Sequence, residues 1–182
     1  MKCIFIVPVS DYVRTRKRLW LSYLVAIFPA LVVLIYALLF NAREGINIAD
    51  EFDSFVNIQI SAIAILISFS IAIITILVTS DNENIRNLKD TMASNNNYKI
   101  QKGKQRLSLF QVLLSNVTYN VIVQIVYLII LIAEVFLKMV VPVNAFKYLT
   151  AINIFFIVHI LYVLIESVVN MYLVFWKDFS KK

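Results

Sequence analysis

Residues 54–80, SFVNIQISAIAILISFSIAIITILVTS, decide the fold. Asp53 and Asp81 bound them, and none of the 27 residues between carries a charge. About 20 apolar residues suffice to cross a hydrocarbon core of about 30 Å. Lipid offers the backbone no hydrogen-bond partner, so a run of this length reads as a spanning helix. Ala64, Ser68 and Ala72 recur at every fourth position. Such a ridge of small side chains is a helix-packing face, and its partner helix could belong to this chain or to another copy.

Three more gaps in the charge pattern are also long enough to span. Residues 19–42, between Arg18 and Arg43, are uncharged, and from 107 to 137 only Glu134 is ionisable at neutral pH. From 148 to 176 only Glu166 is strongly acidic, with the single histidine, His159, beside it. The spacing predicts helices near 19–41, 57–79, 108–137 and 148–176. The fold class is thus all-α: a polytopic membrane protein of four transmembrane helices, forming one domain over 1–182. Pro29 sits near the middle of the first span, where neighbouring groups must satisfy the freed carbonyl and a kink is expected. Trp20 and Tyr23 at its start fit an interfacial aromatic belt.

Composition agrees. Hydrophobic residues are 61% of the chain, charged residues 15%, and the mean hydropathy is +0.83. A soluble domain is about half apolar and about a quarter charged. A water-soluble fold of 182 residues has no room to hide this much apolar surface. One cysteine, Cys3, excludes an intrachain disulfide framework and a cysteine-based structural zinc site, and one histidine excludes a multi-histidine metal site. Residues 1–10 lack the order of a signal peptide, because Lys2 alone precedes a short apolar run that contains Pro8. They are expected to stay attached and to pack at the membrane surface or against the protein.

The excess of 17 basic over 11 acidic residues is mostly a topology signal. Lys2, Arg14, Arg16, Lys17 and Arg18 precede the first span. Arg86, Lys89, Lys99, Lys102, Lys104 and Arg106 lie between the second and third, and Lys177, Lys181 and Lys182 end the chain. The other side receives Arg43, Lys138 and Lys147. The positive-inside rule then puts both termini and the 80–106 loop in the cytoplasm.

The loops differ in character. Residues 42–56 read as an outer solvated turn with an interfacial amphipathic piece, or as an acidic rim built from Glu44, Asp50, Glu51 and Asp53. In residues 81–93, Ile85, Leu88 and Met92 make a helical stripe, so this stretch either continues the second span or forms a short surface helix. Residues 98–106, YKIQKGKQR, are basic. They anchor to anionic headgroups or dock an acidic cytosolic protein partner through Lys99, Lys102, Lys104 and Arg106. Direct nucleic-acid binding is not expected, since Tyr98 is the lone aromatic in the patch. Residues 140–146 form a tight outer connection, which makes the third and fourth spans antiparallel.

Polar residues inside the spans fall on helical faces. Asn116, Asn120, Gln124, Tyr127 and Glu134 share one face of the third span; His159, Tyr162, Glu166 and Asn170 share one face of the fourth. Such stripes avoid lipid, and they either bond helices together or line a wet path. Lys138, one turn beyond Glu134, is the expected ion-pair partner of that residue. Glu166 lies deep and is costly there unless paired or protonated; with His159 it forms a proton relay or a structural cluster. The polar start of the third span (Ser108, Gln111, Ser115, Asn116) is expected to stand in the cytosol or line a wet interior. No hydrolytic motif and no glycine-rich phosphate cradle is present, so no catalytic residue, cofactor or metal is assigned.

The basic entrance RTRKR at 14–18, the loop NYKIQKGKQR at 97–106 and the tail KDFSKK at 177–182, around four spans, resemble the membrane subunit of the Kiwa anti-phage defence system. That resemblance implies an oligomeric protein of the bacterial inner membrane. It would sense infection at the membrane and recruit a cytosolic DNA-binding effector. The residues themselves lead to a non-enzymatic scaffold or sensor that forms homo-oligomers in a lipid bilayer. The alternative is a small oligomeric channel or transporter that uses the two polar stripes.

Overall fold

The computed structural model of the chain describes residues 6–16, 19–39, 47–81, 83–93 and 107–179. It is all-α. In chain order the helices are α1 (Ile6–Thr15), α2 (Leu19–Leu39), α3 (Ile48–Thr79), α4 (Glu83–Asp90), α5 (Leu109–Leu137) and α6 (Phe146–Phe179), with a 3-10 turn, Val143–Ala145, leading into α6. Four of them, α2, α3, α5 and α6, are long and apolar enough to cross a membrane. α2 continues unbroken through Pro29.

The second span starts nine residues earlier than the charge gap predicts. Residues 48–56, expected as part of a solvated outer turn, are the first turns of α3. Asn47 caps it: its Oδ1 accepts from the Ala49 amide at 3.1 Å, and its Nδ2 donates to Asp50 at 2.8 Å. Asp50 and Glu51 occupy the first turn, where carboxylates favour the positive end of the helix dipole. Charge alone misplaced this boundary, because acidic residues at a helix start are compatible with helix but not with hydrocarbon. At about 48 Å, the 32 residues of α3 exceed a bilayer core, so the acidic turns project beyond it.

α5 begins where the sequence places it, and Ser108 and Gln111 explain why. The Ser108 amide donates to Gln111 Oε1 at 3.0 Å, and the Gln111 amide donates to Ser108 Oγ at 3.3 Å. This reciprocal capping box uses two of the four side chains that were expected to face cytosol or a wet interior. α4 is a separate short helix after the break at Ser80 and Asp81. Its Ile85 and Leu88 are buried as expected, whereas Met92 lies past its end and is 52% exposed.

The chain divides into two compact units. The first draws on Met1–Leu21, Phe69–Ile122 and Val163–Lys182; the second on Ser22–Ser68 and Val123–Tyr162. In the first, α1 and α4 pack with parts of α3, α5 and α6; Tyr12, Leu77, Ile85, Val117 and Val163 are fully buried. In the second, Phe52, Val56, Ile63, Tyr127, Leu131, Phe146 and Ile160 form the core. Phe52 stacks on Phe146 with centroids 4.7 Å apart. The face of α2 that is buried is Ser22, Ala26 and Ala30, small residues every fourth position. This is the close-approach ridge the chain uses on itself. Ala64, Ser68 and Ala72 are exposed within the single chain.

Candidate functional site

Two buried polar clusters stand out, one in each unit. In the first unit, α1 lies against α5. The Tyr12 ring stacks on Tyr119 at 3.8 Å, with planes 5° apart, and Ser115 Oγ donates to the Pro8 carbonyl at 3.2 Å. Residues 8–12 therefore pack against the protein. Arg16, just past α1, donates to the Tyr12 hydroxyl at 2.7 Å, lies 4.4 Å from its ring centroid, and forms an ion pair with Glu166 of α6. Glu166 thus has a cationic partner that the sequence reading counted only as a topology signal. Its spacing from His159, seven residues of one helix, corresponds to about 10 Å of rise.

Asn116 and Asn120 share the same unit and the same face of α5. Both are 1% exposed, and all four of their side-chain polar atoms lack a hydrogen-bond partner. The sequence placed them on an inward face, and they are there. An interhelical bond from either amide is not formed. Buried amides normally are bonded, so among the described residues of the unit these two are the least satisfied side chains.

In the second unit α3, α5 and α6 are joined by a polar chain. The Tyr127 hydroxyl donates to Gln59 Oε1 of α3 and lies 3.3 Å from the Asn153 carbonyl of α6. Asn153 Nδ2 donates to Glu134 Oε2 at 2.7 Å. Gln124 is buried on the same face. Glu134 does not pair with Lys138: Lys138 Nζ is 2.7 Å from Asp53 Oδ1 of α3. An intrahelical neighbour lost to a partner on another helix, because Lys138 sits past the last turn of α5 and its side chain is free to reach across. His159 is buried and stacks on Tyr23 of α2, centroids 5.1 Å apart, and on Phe155 at 6.0 Å.

Outside the spans, the described residues on either side of the basic segment are bonded to each other. The Ala93 amide donates to the Leu107 carbonyl at 3.1 Å and the Leu109 amide to the Thr91 carbonyl at 2.9 Å, an antiparallel bridge between Met92 and Ser108. Lys89 of α4 lies 5.3 Å from the Phe110 ring centroid. Lys99, Lys102, Lys104 and Arg106 lie outside the described residues. At the start of the α4 region, Arg86 grips Asp81 with two bonds, of 2.9 and 2.8 Å, which holds that carboxyl below its ordinary range.

Sequence reasoning missed Gln59, Asn153 and the structural role of Arg16. Gln59 and Asn153 are single amides within apolar runs, and that isolation was the available signal. Among the described residues no three of His, Cys, Asp and Glu gather as a metal-ligand set. No family model matches the chain, and no curated protein or solved structure matches it either.

Proposed function

We propose that this chain is a non-enzymatic, oligomeric membrane scaffold or sensor that holds a basic docking segment at the cytoplasmic face of a bacterial inner membrane. Both termini share that face by the distribution of Lys and Arg. The observation that supports this most directly is the bridged base of the 94–106 segment. That segment carries Lys99, Lys102, Lys104 and Arg106 and no acidic residue. The backbone bonds at Ala93 and Leu109 fix where it leaves and where it returns. Four cations between two bonded flanks suit an acidic protein surface, because complementary charge speeds encounter and selects partners. In the Kiwa-like version of this reading, the partner is a cytosolic DNA-binding effector and the stimulus is phage infection.

Charge reversal at Lys99, Lys102, Lys104 and Arg106 tests it. A defined partner recovered in fixed ratio with the wild-type chain from native membranes should be lost with the variant, at unchanged helicity. Undiminished recovery removes the docking role.

The channel or transporter reading keeps one favourable observation, the unbonded Asn116 and Asn120 amides. Hydration of that face would satisfy them. Purified protein in planar bilayers should then conduct, and Asn116→Leu with Asn120→Leu should silence it.

A further inference from the structure

Glu134, one turn before the end of α5, is 2% exposed within the second unit, and among the described residues no cation pairs with it. Its Oε2 accepts one bond, from Asn153 Nδ2 at 2.7 Å. Two atoms of this pair remain unsatisfied: Glu134 Oε1 and Asn153 Oδ1. Both are acceptors when the carboxyl is ionised, so neither can serve the other. One added proton removes the conflict. A protonated Oε1 becomes a donor, and the Asn153 oxygen is the acceptor it lacks. A carboxylic acid and a primary amide joined by one N–H···O bond then close into a ring of two bonds.

We propose that Glu134 and Asn153 form a buried proton-binding site, a neutral acid–amide pair that clamps α5 to α6 and can release its proton to an ionised state.

The competing occupants fit less well. A bridging water would bond both oxygens but leave an uncompensated charge in a spanning segment, which costs several kcal/mol. A metal cation needs a fuller oxygen shell than two leftover acceptors. Several titratable groups of the elements meeting here are committed elsewhere: Asp50 of α3 accepts from Asn47, and Glu166 of α6 pairs with Arg16. Asp53 of α3 holds Lys138, and Tyr127 of α5 donates to Gln59. His159 of α6 stacks on Tyr23 of α2 and on Phe155. Lys147 and Tyr148 lie in the first turn of α6, away from Asn153 by more than one helical turn.

Infrared spectroscopy of the full chain in lipid nanodiscs tests the proposal. The difference spectrum of wild type minus Glu134→Gln at neutral pH should contain the C=O stretch of a protonated carboxyl. It should be the same in sodium chloride and in choline chloride. Asn153→Leu should move that band toward the position of a free acid. Carboxylate stretches in place of the acid band would overturn the site. So would an acid band abolished by sodium, which would make it a cation site, or a band unmoved by Asn153→Leu. Should one variant fail to fold, the other still assigns the band.

Discussion

Arg16 reaches from the end of α1 to an ion pair with Glu166 of α6, so the chain carries its own counter-ion for that carboxylate. The two ends of the pair are unequal: the Arg16 side chain is 8% exposed and that of Glu166 34%. Exposed pairs are worth under about 1 kcal/mol, while breaking a fully buried one costs about 3–5 kcal/mol.

The inequality predicts an order of effects. Glu166→Gln leaves the buried guanidinium without its counter-charge and should lower unfolding free energy by about 2–3 kcal/mol. Arg16→Gln leaves a carboxylate that is one-third exposed in the single chain, less enclosed than the guanidinium, and should cost less, about 1–2 kcal/mol. Denaturation in mixed micelles measures both. Equal losses would show that burial does not govern this pair.

Tyr127 and Gln59 should be coupled. Tyr127→Phe removes the donor to Gln59 Oε1 and should cost about 1 kcal/mol. Combined with Gln59→Leu, a double-mutant cycle should give an interaction energy of about 0.5–1.5 kcal/mol, the range for interhelical bonds in membranes. An additive pair would mean that the bond contributes nothing.

The two small-residue ridges should respond differently to bulk. Ala26 is fully buried, so Ala26→Leu should cost about 1–3 kcal/mol by overpacking. Ala64→Leu, on an exposed face, should change intrachain stability by less than about 0.5 kcal/mol. If copies of the chain associate through that face, cross-linking between them should fall in Ala64→Leu alone.

Asp81 gives a pH dependence outside the spans. The bidentate Arg86 bond holds its carboxyl below the ordinary 3.8. A depressed carboxyl stabilises above its unfolded value and loses that contribution as pH falls through its folded one. The protection factors of the α4 amides, which are exchange rates corrected for their intrinsic pH dependence, should therefore be unchanged from neutral pH down to about pH 4 and fall only below it. Asp81→Asn should show no such step.

Reading the residues gave all four helices long and apolar enough to cross a membrane, since a largely uncharged run of 24 or more residues has only one stable form in lipid. It also gave the burial of Asn116, Asn120, Gln124 and Tyr127, because a helical face follows from spacing. The start of α3 at Ile48 was not legible from charge, as Asp50, Glu51 and Asp53 are as compatible with a helix N-terminus as with a loop. Nor was the fate of Lys138. Sequence offers it Glu134 one turn away, and only the approach of α3 offers it Asp53.

Sequence alone determined that this is an all-α chain with four helices suited to a bilayer, because solvent and backbone hydrogen bonding act on each segment locally. Tertiary structure decided which polar groups meet: Arg16 with Glu166, Asn153 with Glu134, Tyr127 with Gln59. Those pairings depend on how helices are rotated and placed against one another. That is set by packing of many weak contacts, and no local pattern records it.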